Sequence, residues 1–233
     1  MSPTKTKPSG NPIKAAISRT NFDFDNYFKT LKFSLYTMRR PLDGFWDLIH
    51  ERRGSLAAAH TIVALAVIVE IFRMVLTNFQ FIQVNMETFS AWMVLGQVLL
   101  PLLLWSVANW SLTTLFEGKG KISDIYMGTA YAMTPMIIIN AALIPVSHVI
   151  TFEEGALYWV FTGFGVVWFV LLILCAMKEI HDYSFGKAII TSLASILAIG
   201  IMIFIFIMFF AVVSGGLAYF YSIGQEVAFR FLG

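Results

Sequence analysis

Long apolar runs separated by short polar segments dominate the sequence from residue 56 onward. Each run reaches the ~20 residues that an α-helix needs to cross ~30 Å of hydrocarbon at a rise of ~1.5 Å per residue. The pattern therefore predicts five membrane spans, at about 56–76, 92–116, 125–148, 156–177 and 188–213. Gly215 and Gly216 are expected to end the last straight helix, and an amphipathic tail follows them.

The residues before the first span have a shorter, amphipathic pattern. In 21–40 aromatic and aliphatic residues recur at helical spacing beside Lys and Arg, which favours a helix lying in the membrane interface. A soluble amphipathic helix packed on the rest of the protein is the alternative. A second short helix is predicted to begin at Pro41, with Leu42, Phe45, Trp46 and Ile49 on one face.

These patterns predict an all-α fold: a polytopic membrane helical bundle with five transmembrane helices and N-terminal amphipathic interfacial helices. Residues 1–20 lack aromatic residues and are rich in Pro, Ser, Thr and Lys, so we expect disorder there. The predicted organisation has four parts. A disordered cytoplasmic tail (1–20) is followed by amphipathic interfacial helices (21–55), a five-span membrane domain (56–216) and an extracytoplasmic amphipathic tail (217–233).

Composition supports the membrane class. The chain is 58% hydrophobic and 13% charged, with a mean hydropathy of +0.75, whereas globular proteins have about 25% charged residues. A net charge of +2 is too small to indicate nucleic-acid binding. The single cysteine, Cys175, excludes an intramolecular disulfide. The polar first residues predict that there is no cleavable signal peptide.

The distribution of Lys and Arg predicts the orientation. Ten precede the first span, none lies in 77–91 or 149–155, and two lie in each of 117–124 and 178–187. The positive-inside rule then places the N-terminus in the cytoplasm and the C-terminus outside. An even number of spans would break this alternation.

A short basic turn, residues 117–124, separates the second and third spans, which must therefore be antiparallel neighbours. Polar residues unusual for lipid lie on both sides of this turn, and antiparallel geometry places Asn109 near the third-span turns that contain Thr129 and Thr134. These side chains could line a substrate path, but hydrogen bonds between helices, at ~0.6–2 kcal/mol each, are the favoured interpretation. The polar residues considered are Asn109, Thr113, Thr129, Thr134 and Asn140.

Three ionisable residues fall in the first span. Glu70 and Arg73 are three residues apart, so they could form a coupling pair that faces a cavity or a mutual ion pair with Arg73 reaching outward; the ion pair is favoured. His60 is expected to have a hydrogen-bonded packing role rather than to relay protons. On the last span, Ala188, Ser192 and Ser195 form a small-residue face for close packing or for another protein.

No catalytic motif is present in the sequence. His50-Glu51 begins like a zincin motif, but Gly54 occupies the position of the second His, and no G-x-S-x-G sequence occurs. A metal site could in principle gather residues on the cytoplasmic side, but none of them has ligand spacing on one face, so surface capping is favoured. Those residues are His50, Glu51, Glu179, His181 and Asp182. We therefore expect neither an enzyme nor a bound cofactor.

Three stretches, RPLDGFWDLIHERRGSLAAA, PLLLWSVANWSLTTLFEGKGKISDIYMGTAYAMTP and HDYSFGKAIITSL, resemble the bacterial branch of the Yip-domain family. The segment from Gly128 to Pro135 is similar to the Gly-Tyr…Pro segment of the family's third span. The eukaryotic Asp-Leu-Tyr-Gly-Pro signature is missing, and only Asp47-Leu48 is similar to it, so Rab binding is not carried over. The resemblance implies a non-enzymatic protein of a bacterial plasma (inner) membrane. The genes of similar bacterial proteins look like neighbours of carbohydrate ABC importer genes. The resemblance therefore suggests the permease subunits of such an importer as partners.

The resulting hypothesis is an accessory or scaffold protein that contacts membrane lipids and the subunits of a larger membrane assembly. Exposed aromatic residues near the membrane surface are the candidate partner contacts, because aromatic side chains dominate interface energetics. The alternatives are a small-solute transporter or channel, which needs a continuous polar path, and an intramembrane enzyme, which no residue constellation supports. The candidate contacts are Phe24, Tyr27, Phe28, Phe45 and Trp46.

Overall fold

The structure is a computed structural model that describes residues 24–85, 87–151 and 153–232. These residues form helices joined by short connections, with no strand among them. The segment expected to be disordered, 1–20, lies outside the described residues. The helices are α1 (Phe24–Arg39), α2 (Pro41–His50), α3 (Leu56–Leu76), α4 (Ala91–Leu115), α5 (Ile122–Ala132), α6 (Thr134–Val146), α7 (Gly155–His181) and α8 (Phe185–Leu232).

Among the described residues, five helical segments are long and apolar enough to cross a membrane: α3, α4, the pair α5–α6, α7 and α8. The all-α, five-span prediction is therefore confirmed. The first predicted span has the observed bounds, and the next three differ from the observed helices by a few residues at their ends. The spans run alternately between two ends of the bundle. At one end, which we call the turn end, lie two short connections, residues 116–121 between α4 and α5 and residues 182–184 between α7 and α8. At the other end, which we call the loop end, lie the connections from α3 to α4 and from α6 to α7.

The predicted end of the last helix at Gly215 and Gly216 is wrong. Helix α8 runs without a break through both residues and has 48 residues in all. A glycine inside a helix costs only ~1 kcal/mol relative to alanine, and apolar residues flank this pair on both sides, so the helical pattern continues across it.

The third span bends where α5 meets α6. The N–H of Met133 donates to the carbonyl of Ala130, three residues earlier, at 3.1 Å. The Thr134 hydroxyl donates to the Tyr131 carbonyl at 2.8 Å. Pro135 has no N–H to donate, so it is tolerated in the first turn of the new helix α6.

The main core lies toward the turn end of the bundle, where α2, α3, α5 and α7 meet. Helices α5 and α7 approach closely at Gly128, where an added Cβ would lie 2.6 Å from Cδ1 of Ile180. Among the large side chains that are fully buried there are Phe45, Leu48, Ile125, Tyr131 and Met177.

Helix α1 packs on the bundle, as the alternative interpretation predicts, and its location in a membrane interface stays a prediction. Its fully buried residues are polar, namely Thr30, Ser34 and Thr37, while Tyr27 and Phe33 are partly buried and pack against the main core. The Tyr131 hydroxyl donates to the Thr30 carbonyl at 3.0 Å, and Thr37 lies against Gly44 of α2.

The predicted apolar face of α2 is divided in the structure. Phe45 is fully buried, whereas Leu42 and Trp46 are 44% and 45% exposed. The buried residue that accompanies Phe45 is Leu48, not the predicted Trp46. Phe45 therefore belongs to the core and is not available to a partner, which corrects its place among the candidate contacts.

Candidate functional site

A chain of hydrogen bonds crosses the turn end of the bundle and joins α4, α7 and α8. Asn109 of α4 lies at its centre and is fully buried. Its Oδ1 lies 2.9 Å from Nε2 of His181, and its Nδ2 donates to Oγ of Ser195 at 3.1 Å. A single amide side chain thus connects α4 to two helices whose contacting residues are 72 and 86 residues away in the sequence.

The donors and acceptors of this chain determine the form of His181. The backbone N–H of Gly120 donates to Nδ1 of His181 at 3.2 Å, so Nδ1 must carry the lone pair. The ring is then neutral, with its proton on Nε2, which donates to Asn109. The Ser195 hydroxyl accepts from Asn109 and donates to the Thr191 carbonyl at 2.8 Å. We call Asn109, His181, Ser195 and the Gly120 N–H the His181 network.

Two glycines allow the α4–α5 turn to lie directly against His181. An added Cβ at Gly118 would lie 2.7 Å from Nδ1 of His181, and one at Gly120 would lie 2.7 Å from its Cε1. Neither glycine has a positive φ. Close approach, rather than a left-handed backbone, is therefore the reason for glycine at both positions.

Tyr183 covers the outer side of the network. Its ring stacks on His181 with centroids 5.3 Å apart, and its hydroxyl donates to the Phe116 carbonyl at 3.1 Å. Burial raises the pKa of Tyr183 above its ordinary value, so the hydroxyl keeps its proton and this hydrogen bond at physiological pH.

An exposed ion pair closes the turn end. Nζ of Lys119 donates to the Asp182 carboxylate at 2.8 Å, and this hydrogen bond holds the pKa of Asp182 below its ordinary value. Asp182 ends α7 in the left-handed conformation, with a φ of 57°, a conformation that Asp tolerates better than most residues. Both side chains are mostly exposed, so the pair contributes little stability.

The partners predicted for Asn109 are not the ones observed. Thr113, Thr129 and Thr134 donate to carbonyls three or four residues earlier in their own spans. The antiparallel arrangement of the second and third spans predicted the depth of Asn109 in the membrane, but not the direction in which its side chain points from the α4 axis. That direction is toward α7 and α8, so these threonines do not join the network.

A cavity of about 660 Å³ lies between the spans toward the loop end. Five of the polar residues that line it lie in its half toward the loop end, and we call them the polar layer. Four of them stand six or seven residues from the loop-end limits of their helices, or ~9–11 Å at 1.5 Å per residue, and Arg73 stands three residues from the end of α3, or ~4.5 Å. The polar layer consists of Glu70, Arg73, Gln97, Asn140 and Thr162.

The ionisable residues of the first span have different surroundings. Nε and Nη2 of Arg73 donate to the two carboxylate oxygens of Glu70 at 2.8 and 2.5 Å, as the ion-pair interpretation predicts. Both residues also line the cavity. His60 is exposed, and its Nδ1 lies 2.8 Å from the Tyr126 hydroxyl.

Three of the other candidate partner contacts, Tyr27, Phe28 and Trp46, lie on the surface or near it. Phe28 is 61% exposed and Trp46 is 45% exposed. Tyr27 is half-buried, and its hydroxyl bonds to that of Thr61 on α3. Phe24 begins α1, and its side chain lies outside the described part of the chain.

Sequence reasoning missed the role of His181, which it considered as a metal ligand or, preferably, as a surface residue that caps a helix end; the structure instead buries His181. It missed Gln97 altogether. One signal for the His181 network was available: two glycines flank Lys119, and glycine permits the close approach of a neighbour. Nothing in the sequence paired Asn109 with His181, because 72 residues separate them. Within the described residues, no three His, Cys, Asp or Glu side chains are grouped closely enough to hold a metal ion.

The fold and its polar sites define an integral membrane protein with five spans. The model of the Yip1 domain family matches residues 35–208, so the chain belongs to that family. This match confirms the family resemblance, and it contains both the His181 network and the polar layer. No curated protein and no solved structure matches the chain.

Proposed function

We propose that this protein is a non-enzymatic accessory or scaffold subunit of a larger membrane assembly. The observation that carries the proposal is the free length of α8. Every residue from 203 to 226 is exposed, although large apolar side chains occur throughout this part. Phe209, Phe210 and Phe220 are 66%, 65% and 72% exposed.

Lipid alone does not cover this helix if it stays straight. The apolar part of α8, Phe185–Glu226, has 42 residues, which corresponds to ~63 Å at 1.5 Å per residue. The hydrocarbon core is only ~30 Å thick. About half of this apolar length therefore needs another covering surface, and a neighbouring membrane protein supplies one.

The partner class follows from the family resemblance. Permease subunits of a carbohydrate ABC importer are the leading candidates, in the plasma membrane of a bacterium, with the N-terminus in the cytoplasm. The exposed Phe28 and Trp46 at the turn end provide a second contact region, on the cytoplasmic side in this orientation.

Affinity purification from the native membrane in mild detergent tests the proposal. We expect a specific membrane protein to co-purify with the full chain and to be reduced by the substitution Phe220→Ala. The matched control is Phe161→Ala, an exposed phenylalanine on α7 within the membrane. If the full chain purifies alone and transports or hydrolyses a substrate unaided, the proposal is wrong.

A small-solute transporter is the second candidate, and the cavity with its polar layer is the observation that favours it. Two features weigh against it. Gln97 and Asn109 are 12 residues apart on α4, or ~18 Å along the helix, and the cavity wall between them is mainly apolar. Solute uptake by the purified chain in vesicles would favour this candidate over the accessory role.

A further inference from the structure

The lining of the cavity changes with depth. The polar layer lies toward the loop end, and the deeper wall is formed by apolar side chains apart from Thr129, including Ala66, Met133, Ile137 and Ile173. Its volume of about 660 Å³ falls within the ~300–1,000 Å³ of small-molecule sites. A polar end and a long apolar end together suit an amphiphile better than a uniformly polar solute.

Two amide side chains in the polar layer need hydrogen-bonding partners. Gln97 is exposed and Asn140 is partly exposed toward the cavity, and neither side chain has a hydrogen bond to any described residue. Both lie inside the predicted hydrocarbon region, where an unpaired polar group is costly. Their four hydrogen-bonding atoms and groups require a ligand that can both donate and accept.

The charge of the polar layer restricts the ligand further. Arg73 and Glu70 bind each other in a bidentate pair, through both carboxylate oxygens. The Thr162 hydroxyl donates to the Tyr158 carbonyl at 2.9 Å. The layer therefore has no net charge to attract a charged headgroup, and its free groups are the amides of Gln97 and Asn140.

We propose that the cavity binds one acyl chain of a neutral lipid, with an uncharged head that bears hydroxyl and ester groups against the polar layer. The ester carbonyl accepts from the amide N–H groups, and the hydroxyl donates to the amide oxygens. The acyl chain extends toward Ala66 and Ile173. An acylglycerol has this chemistry, whereas a fatty acid carries a carboxylate that the neutral layer does not favour.

Photo-crosslinking of the full-length chain in detergent tests the site directly. The probe is a monoacylglycerol with a diazirine near the end of its chain. We expect crosslinks to peptides that contain Ile137 or Ile173, and weaker labelling by the matching fatty acid. Crosslinks only to the exposed outer faces of the spans would overturn the proposal, as would loss of labelling on addition of a free disaccharide.

Two alanines on α3 provide a matched pair of variants. Ala66 lines the cavity and Ala64 is exposed on the same helix. Ala66→Trp fills the apolar part of the cavity and should reduce labelling about tenfold, equivalent to ~1.4 kcal/mol of binding free energy. Ala64→Trp should leave labelling unchanged. Equal labelling of the two variants would contradict the proposal.

A change in the polar layer keeps the test decisive if Ala66→Trp fails to fold. Gln97→Leu removes one free amide and should weaken binding of the monoacylglycerol about threefold or more, the effect of one hydrogen bond in a membrane protein. Binding of the fatty acid probe should change less. Unchanged binding of the monoacylglycerol by Gln97→Leu would overturn the role assigned to the polar layer.

Discussion

The two asparagines in the membrane spans show how the same residue type takes different roles. Asn109 is fully buried and uses both ends of its amide, toward His181 and Ser195. Asn140 borders the cavity and has no hydrogen bond to the described residues. Burial with complete pairing indicates a structural role for Asn109, whereas an accessible, unpaired amide indicates ligand binding by Asn140.

Substitution of these two residues by leucine should separate stability from binding. Asn109→Leu leaves Nε2–H of His181 buried without an acceptor, so we expect a loss of ~1–3 kcal/mol of stability. Asn140→Leu breaks no described hydrogen bond and should change stability little. Thermal unfolding in detergent measures both effects. Equal losses for the two variants would contradict the structural role of Asn109.

A double-mutant cycle tests whether Asn109 and Ser195 are coupled. Ser195→Ala removes the acceptor of the Asn109 amide, so the two substitutions should be less than additive. The coupling free energy should lie on the scale of one membrane hydrogen bond, ~0.6–2 kcal/mol. Strict additivity in unfolding experiments would show that the two side chains act independently.

Gly120 tests the close approach of the turn to His181. In Gly120→Ala the added Cβ would collide with Cγ2 of Ile180 and lie 2.7 Å from Cε1 of His181, so overpacking against this end of α7 should cost ~1–3 kcal/mol. The control is Gly163→Ala, because an added Cβ there meets nothing within 4 Å. It should be neutral or slightly stabilising in the same thermal measurement. A neutral Gly120→Ala would mean that the turn moves away from His181 without cost.

At the scale of whole helices, sequence patterns predict that a helix exists and how long it is better than they predict how the helix is rotated about its axis. An apolar run of sufficient length must be a membrane helix, so α3, α4, α5–α6 and α7 were predicted with bounds close to those observed. Which side of a span faces its neighbours depends on packing between distant segments. The position of Asn109 against α7 and α8 could not be predicted for this reason, and neither could the burial of Phe45 in place of Trp46.

The C-terminal end of helix α8 was also predicted incorrectly from the sequence. Glycine pairs often end helices, but this pair lies in an apolar run where the helix satisfies its own backbone groups. Its small-residue face was predicted more accurately: Ala188, Ser192 and Ser195 are all buried. Packing is therefore confined to the first part of α8, and the remainder is free.

Truncation of α8 should distinguish its two parts. Removal of the residues after Gly216 deletes only the outer part of the exposed segment, so thermal stability in detergent should not change. Removal of the residues after Ser192 deletes Ser195 and part of the cavity wall, and should destabilise the bundle by breaking the His181 network. Comparable destabilisation by both truncations would show that the outer part of α8 packs on the bundle.

At the scale of the whole molecule, the two polar sites lie toward opposite ends of the same bundle. The His181 network connects α4, α7 and α8 at the turn end, where the main core also lies. The cavity lies toward the loop end, beside a smaller buried cluster of Phe81, Leu143 and Tyr158. The two proposed roles therefore use different parts of the bundle: the turn end holds the packed core, and the cavity accepts a lipid chain toward the loop end.

The distribution of charge predicts the orientation of this arrangement, and labelling of introduced cysteines tests it. The loop end lacks Lys and Arg in 77–91 and 149–155, whereas Lys119 and Lys121 lie at the turn end. The positive-inside rule then predicts that the loop end lies outside the cell. In a Cys175→Ala background, Glu87→Cys and Glu153→Cys should react with an impermeant thiol reagent added to intact cells. Both positions are exposed in the structure.

Lys121→Cys provides the opposing control, because this position is equally exposed but lies at the turn end. It should react only after the cells are permeabilised. The Cys175→Ala background should remain folded, since Cys175 is buried in the core and alanine removes only one sulfur atom's volume. Labelling of Lys121→Cys in intact cells, with protection of Glu87→Cys, would reverse the orientation. The polar layer and the free end of α8 would then both lie on the cytoplasmic side of the membrane.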